Sequence, residues 1–145
     1  MRLASRSLDR AQAAADAVKA QVEGADISGV QTSSEAETAQ AATGVDVIIA
    51  TGAAGVQLIA QDTWTANTDL KVLIDLNAVP PLGIEGIELS DKARDVDGKI
   101  VYGAIGVGGT KMKVHKACVA KLFESNDQVL DSEGIYAVAQ SVLGG

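Results

Sequence analysis

Scarcity defines this chain first: 145 residues carry one cysteine, two prolines, one histidine and only 3% aromatic residues. A lone Cys118 excludes an intramolecular disulfide and a zinc site built from several thiolates, so a reducing, cytoplasmic setting is expected. With so few aromatics, the interior must be built from Ala, Val, Ile and Leu, which suits helices packed closely on a sheet. Basic residues are also few: 12 against 19 acidic ones give a net charge of −7, which disfavours binding to nucleic acid or an anionic membrane. No run approaches the apolar length of a membrane span, and Met1 to Arg6 lacks the apolar region of a signal peptide. A soluble, unexported protein of one domain is expected.

Apolar or small residues at Leu8, Ala11, Ala15, Val18 and Val22 alternate steps of three and four, predicting a helix capped by Ser7 and stopped near Gly24. Ile27 to Val30 reads as a short strand, and Ser33 or Ser34 before Glu35 and Glu37 starts a second helix reaching about Ala42. Val45 to Ala50 and Lys71 to Asp75 read as strands covered on both faces. Between them a weak helix is expected around Val56 to Asp62, and after them Asn77, Pro80, Pro81 and Gly83 impose an irregular loop. Beyond a polar segment from Ser90 to Gly98, Ile100 to Tyr102 gives another strand, which meets the glycine cluster Gly103 to Gly109. There the backbone is expected to pass close to a ligand or to another element. Thr110 to Glu124 and Ser132 to Leu143 predict two final helices, the last with Ile135, Val138, Ala139 and Val142 inward. Short apolar strands separated by helices indicate an α/β fold, Rossmann-like, with a mainly parallel sheet whose ligands gather beyond the strand C-termini.

Several residue groups fall at such strand ends. Ser5-Arg6-Ser7 follows the stub Leu3-Ala4, where a dinucleotide fold meets the adenosine ribose. An acid there favours a free 2′-hydroxyl, whereas an arginine between two hydroxyls favours a 2′-phosphate; the competing reading is an ordinary exposed Arg before a helix. Thr51-Gly52-Ala53 either sets backbone N–H groups beside a cofactor or makes a simple turn. Asp75-Leu76-Asn77 either orients a nicotinamide or a cationic substrate, or forms an Asx turn entering the proline loop. Lys111, His115 and Cys118 lie on neighbouring turns of one helix and stand equally as a solvated or structural set. No Ser/His/Asp arrangement, metal-ligand cluster or P-loop is evident, which counts against hydrolysis, metal chemistry and phosphoryl transfer. Hydride transfer, by contrast, needs positioning more than a protein nucleophile.

Three separated segments carry a resemblance: Ser5-Arg6-Ser7-Leu8-Asp9-Arg10-Ala11-Gln12; Asp75 to Asn77 running into Ala78-Val79-Pro80-Pro81-Leu82-Gly83-Ile84; and Gly103-Ala104-Ile105-Gly106-Val107-Gly108-Gly109 with His115 to Phe123. Together they resemble the C-terminal NADP-binding portion of methylene-tetrahydromethanopterin dehydrogenase, over almost the whole chain. The resemblance implies an enzyme of one-carbon metabolism that passes hydride between methylene-tetrahydromethanopterin, or methylene-tetrahydrofolate, and NADP. It also implies roles. Ser5, Arg6 and Ser7 would hold the adenosine phosphate; Thr51, Gly52 and Ala53 would border the cofactor; Asp75 and Asn77, with Gly103, Ile105 and Gly106, would approach the nicotinamide side. Lys111 matches a lysine of the pterin side, with His115 a weaker neighbour.

The departure is as informative as the match. Members of that family carry an N-terminal pterin-binding domain, then a first strand, a glycine-rich diphosphate loop and its helix, none of which is found here. Gly103-x-x-Gly106-x-Gly108 has neither the spacing nor the position of that loop. Residues 1–145 therefore read as a partial NADP-binding Rossmann-like domain lacking its first βα unit. In the order 3-2-1-4-5-6 the absent strand would pair on both sides, so two inner edges are left open, to be filled by a homo-oligomer partner or a complementing chain, or closed by rearrangement. Two other readings stay open: an NADP oxidoreductase of shikimate-dehydrogenase type, which shares a Ser-Arg-Ser-Leu loop but not the Pro-Pro-Leu-Gly-Ile segment, and a non-catalytic binding or assembly module.

Overall fold

A computed structural model describes residues 1–144. The chain runs β1 (Arg2–Ser5), α1 (Leu8–Gln21), β2 (Ser28–Gln31), α2 (Glu35–Ala42), β3 (Val47–Ala50), α3 (Gln61–Thr65), β4 (Val72–Asp75), β5 (Lys92–Val96), β6 (Lys99–Tyr102), α4 (Ala104–Leu122) and α5 (Ser132–Leu143). Every strand pair is parallel except the β5–β6 hairpin, so the architecture is the Rossmann-like α/β fold expected. The strands nevertheless form two sheets. One is the pair β1–β2; the other has the order β3-β4-β6-β5. The break falls between β1 and β3, and among the described residues neither a rearranged β1–β3 pairing nor a single continuous sheet is formed.

Local signals explain the first lobe. Ser7 caps α1 by accepting from the Arg10 N–H, and Ala11 and Ala15 are its buried residues. Such small side chains let α1 lie almost in contact with β2. A Cβ built on Gly29 would stand 2.4 Å from the Gln12 nitrogen and 2.6 Å from the Ala11 carbonyl carbon, both backbone atoms that cannot swing away. At α2, Ser34 and Glu37 form a reciprocal capping box, and Ser33 donates further hydrogen bonds that hold the Glu37 carboxyl below its usual range. Arg2 ties β1 to the far end of that helix, donating to the carbonyls of Ala41 (2.8 Å) and Thr43 (2.6 Å). Those oxygens have no partner within the helix, so a cation there is doubly favourable.

The four-stranded sheet carries the main core. Leu73 on β4 and Val101 on β6 are fully buried against Ala50, Trp64, Leu70, Ile84 and Ile87. Trp64 is satisfied in this apolar setting because its indole N–H donates to the Glu85 carbonyl at 2.8 Å.

Four sequence expectations need correction. The helix expected at Val56 to Asp62 is displaced to Gln61–Thr65, since the N–H groups of Leu58 and Ile59 are both taken by the Gly83 carbonyl. The polar segment Ser90 to Gly98 contains strand β5, which exists by pairing with β6 and not by burying its side chains. The glycine cluster opens a helix: Gly103 caps α4, which starts at Ala104, six residues before the expected Thr110. Finally, of the four residues expected inward on α5 only Val138 is buried; Ile135 and Val142 remain 43% and 40% exposed, and no residue of α4 is buried.

The α1–β2 contact sets a direct expectation. Gly29→Ala forces backbone apart and should destabilise the chain by roughly 2 kcal/mol, the scale of overpacking in a filled site. Urea unfolding followed by far-UV circular dichroism measures it, and an unchanged midpoint would refute the close approach.

Candidate functional site

Parallel strands deliver their C-terminal ends to one edge, and the residues singled out by sequence assemble along it. Ser5 ends β1, Thr51 follows β3, Asp75 ends β4 and Gly103 follows β6. Across the second sheet the register aligns Ala50 with Asp75 and Ile74 with Tyr102, which brings Thr51, Leu76 and Gly103 to the same rim. Lys111 is not at this rim. It is exposed on α4 seven residues beyond Ala104, about 10 Å along the axis at 1.5 Å per residue, and His115 is one turn further. Cys118 is a half-buried free thiol on the same helix.

At the β1 end, the hydroxyls of Ser5 and Ser7 flank the first turn of α1. Ser5 Oγ accepts from the Ser7 N–H at 3.3 Å, while Ser7 Oγ serves as the helix cap. Arg6 between them is exposed and makes no hydrogen bond or ion pair among the described residues. A free guanidinium, two hydroxyls and the positive end of a 14-residue helix form an anion-favouring group. Thr51, Gly52 and Ala53 are exposed beyond β3, and the Gly52 and Ala53 N–H groups have no partner among the described residues.

Asp75 has a structural task. Fully buried, it accepts from the Asn77 N–H through Oδ1 (2.9 Å) and from the Ile84 N–H through Oδ2 (2.7 Å). The carboxylate thus closes the Asx turn and pins both ends of the 77–84 loop, which contains the cis Pro80–Pro81 bond. The Asn77 side chain is 6% exposed, and its Nδ2 has no hydrogen-bond partner among the described residues. Gly83, unnoticed as a site residue in the sequence, lies against it: a Cβ there would be 2.4 Å from Asn77 Nδ2 and 2.9 Å from Asp75 Oδ1.

At the start of the glycine cluster the backbone passes close to another element. A Cβ on Gly103 would stand within 1.9 Å of the Glu88 carbonyl oxygen, and one on Gly106 within 1.7 Å of the Asp91 carbonyl oxygen. The N-terminal N–H groups of α4 are engaged there as well: Gly103 donates to Asp91, and Ile105 and Gly106 donate to Leu89. A clamp that sequence reading missed holds this turn. Arg94 donates to both carboxylate oxygens of Asp91 (2.6 and 2.7 Å) and to the Gly86 carbonyl (2.9 Å), and the Glu88 N–H donates to Asp91 Oδ2 (2.8 Å). The Arg94 guanidinium keeps the Asp91 carboxyl below the usual range against the opposing effect of burial, and the Glu88 N–H adds to the lowering.

A carboxyl whose folded pKa lies below its unfolded value stabilises the fold above that unfolded value, about 4, and loses the contribution as pH falls through the folded pKa. Asp91→Asn should therefore cost roughly 2 kcal/mol at pH 7, as for hydrogen bonds to a charged group, and the difference from wild type should shrink below about pH 4. Trp64 fluorescence in urea at pH 7 and pH 3 tests this; a pH-independent difference would refute the role of charge. Asp75→Asn places a donor against one of two N–H groups and should also destabilise by roughly 2 kcal/mol in the same assay, whereas wild-type stability would remove Asp75 from its pinning role.

No family model matches the chain. Over 140 residues, 97% of its length, the chain is 41% identical to the bifunctional protein MdtA of Methylorubrum extorquens, and over 126 residues, 83% of its length, it is 33% identical to the NAD(P)-dependent methylenetetrahydromethanopterin dehydrogenase of the same organism. The matches cover 48% and 42% of those proteins, so the chain spans about half the length of the curated relatives it matches. A Rossmann-like fold and similarity over nearly its whole length to about half of each relative support the chain's place in the methylenetetrahydromethanopterin dehydrogenase family.

Proposed function

We propose that residues 1–145 form the NADP-binding part of an oxidoreductase of one-carbon metabolism, working on a reduced pterin carried by the rest of the enzyme. The observation that carries this reading is the uncommitted Arg6 between Ser5 and Ser7 at the start of α1. In this fold that position meets the adenosine ribose, and a cation with hydroxyls suits a 2′-phosphate better than a free hydroxyl. The relative named NAD(P)-dependent methylenetetrahydromethanopterin dehydrogenase supports both cofactor class and substrate class.

The residues fit such a cofactor in two further respects. The free N–H groups of Gly52 and Ala53 offer donors along the rim, and the buried Asn77 Nδ2 is a donor without an acceptor. When bound, NADP supplies the nicotinamide carbon that exchanges a hydride with the substrate. Arg6 pairs with the 2′-phosphate, and Ser5 and Ser7 fix its orientation. Thr51, Gly52 and Ala53 border the cofactor, while Asp75 and Asn77 set the loop that faces its nicotinamide end. Gly103, Ile105 and Gly106 contribute shape, because their N–H groups are already engaged. Lys111, exposed on α4 and away from the rim, is the residue we assign to the pterin side, on the family resemblance alone. Methylene-tetrahydromethanopterin or methylene-tetrahydrofolate gives up its hydride to leave a methenyl cation stabilised by two adjacent nitrogens, so the protein needs to supply alignment more than a nucleophile.

Calorimetric titration with NADP and NAD tests the phosphate reading. The folded chain should prefer NADP by roughly tenfold or more, about 1.4 kcal/mol, and Arg6→Ala should abolish the preference. Equal affinities in the wild type, or a preference untouched by the substitution, would contradict it.

A further inference from the structure

Helix α4 turns an apolar, partly bare face outward. Helix positions seven apart share a face, and Val107, Val114 and Lys121, all half-buried, mark the one turned to the body of the chain. The opposite face carries Ile105, Met112 and Val119, which are 64%, 47% and 41% exposed. Between the first two stand Gly108 and Gly109, inside a 19-residue helix, where glycine weakens the helix more than any residue but proline. The packing that explains Gly103 and Gly106 does not reach them: a Cβ built on either would meet nothing within 4 Å. Bare backbone and an apolar stripe thus lie side by side with nothing of this chain upon them.

Charge on the same hairpin is segregated. Helix α4 carries Lys111, Lys113, Lys116 and Lys121 and no acid, whereas residues 123–145 carry Glu124, Asp127, Asp131 and Glu133 and no basic residue. The turn between α4 and α5 also holds Phe123 and Val129, 86% and 85% exposed, the two most exposed large apolar side chains among the described residues. One end of the hairpin offers apolar knobs with negative charge, and the other offers a glycine hollow with positive charge. An isologous two-fold contact needs such a surface, complementary to itself, because residue i of one copy meets residue j of the other and j meets i. An unrelated partner would leave half of the pattern unanswered: an acidic one does not suit Glu124 and Asp127, and a basic one does not suit Lys113 and Lys116.

We propose that two copies of this chain associate through α4, antiparallel and centred near Val119. In that register residue 113 of one copy falls opposite residue 125 of the other. The turn bearing Phe123, Glu124 and Asp127 then overlies the part of the second α4 that carries Met112, Lys113 and Lys116, and the bare backbone at Gly108 and Gly109 admits Val129. A centre at Met112, or a parallel pairing, would set lysines against lysines, so charge selects the offset. Burial of the stripe supplies affinity, while exposed ion pairs of this kind add little energy and fix the register. The inference does not depend on the function proposed above, and Lys111 takes no part in it.

Sedimentation equilibrium of the 145-residue chain over a range of concentrations tests the association, and a reversible monomer–dimer equilibrium is expected. Val119→Glu should weaken it by about tenfold or more, as for a residue at the centre of an interface. Lys113→Glu combined with Lys116→Glu should weaken it by a similar factor, and adding Glu124→Lys and Asp127→Lys should restore it, because opposite charges again face each other. All five positions are exposed, so the urea midpoint followed by Trp64 fluorescence should stay at the wild-type value. On the wild type alone, carbodiimide cross-linking of mixed isotopically light and heavy chains should join Lys113 or Lys116 of one copy to Glu124 or Asp127 of the other, a readout that stands even if a variant misfolds. A monomer at every concentration, a closed trimer, an association indifferent to Val119→Glu, or cross-links confined to single chains would overturn the proposal.

Discussion

Each inner strand of a parallel sheet needs backbone partners on both sides, and that requirement organises this molecule. Where it is met, at β4 between β3 and β6, one sheet face is closed, with Leu73 and Val101 fully buried. Where it is not met, between β1 and β3, the sheet divides in two and apolar side chains meet solvent. An N–H or C=O removed from water without a partner costs more than most side-chain contacts return. The bridge across the break is α2, held by Arg2 on one side and on the other by the Asn67 side-chain amide, which donates to the Ala42 carbonyl at 2.5 Å.

The same accounting distinguishes the N-termini of α1 and α4 at the strand-end rim. At the start of α4 the N–H groups of Gly103, Ile105 and Gly106 are spent on the carbonyls of Leu89 and Asp91, and the Asp91–Arg94 clamp secures the turn that presents them. The first turn of α1 meets only its own serine cap, beside a guanidinium with no other engagement. Electrostatics therefore favours an anion at α1 and a shape contact at α4, a division of labour along one rim. No helix among the described residues is long and apolar enough to cross a membrane.

Sequence legibility followed the source of each element's stability. The elements α1, α2, β3 and β4 carry their own signals, in the Ser7 and Ser34 caps and in apolar runs, and they lie close to where periodicity puts them. Strand β5 carries almost none: Lys92, Arg94 and Asp95 look like loop, Ala93 adopts φ 56° at an irregularity, and pairing with β6 alone makes the strand. Helix α4 begins six residues before the expected Thr110, inside a glycine cluster whose close packing on residues 88–91 requires Gly103 and Gly106 to be glycine. At the site, strand-end position was legible from sequence, but the pinning of a loop by Asp75 and the clamp of Arg94 on Asp91 were not, since both depend on backbone groups that no side-chain pattern reveals.

The most direct measurement is an NMR titration of the isotope-labelled chain with NADP. A nucleotide site on the strand-end rim predicts shifts concentrated at the amides of Arg6, Gly52, Ala53 and Asn77, with Gly24, Gly44 and Gly98 at the opposite edge unmoved. Shifts confined to α4 and α5, or spread over that opposite edge, would contradict the account.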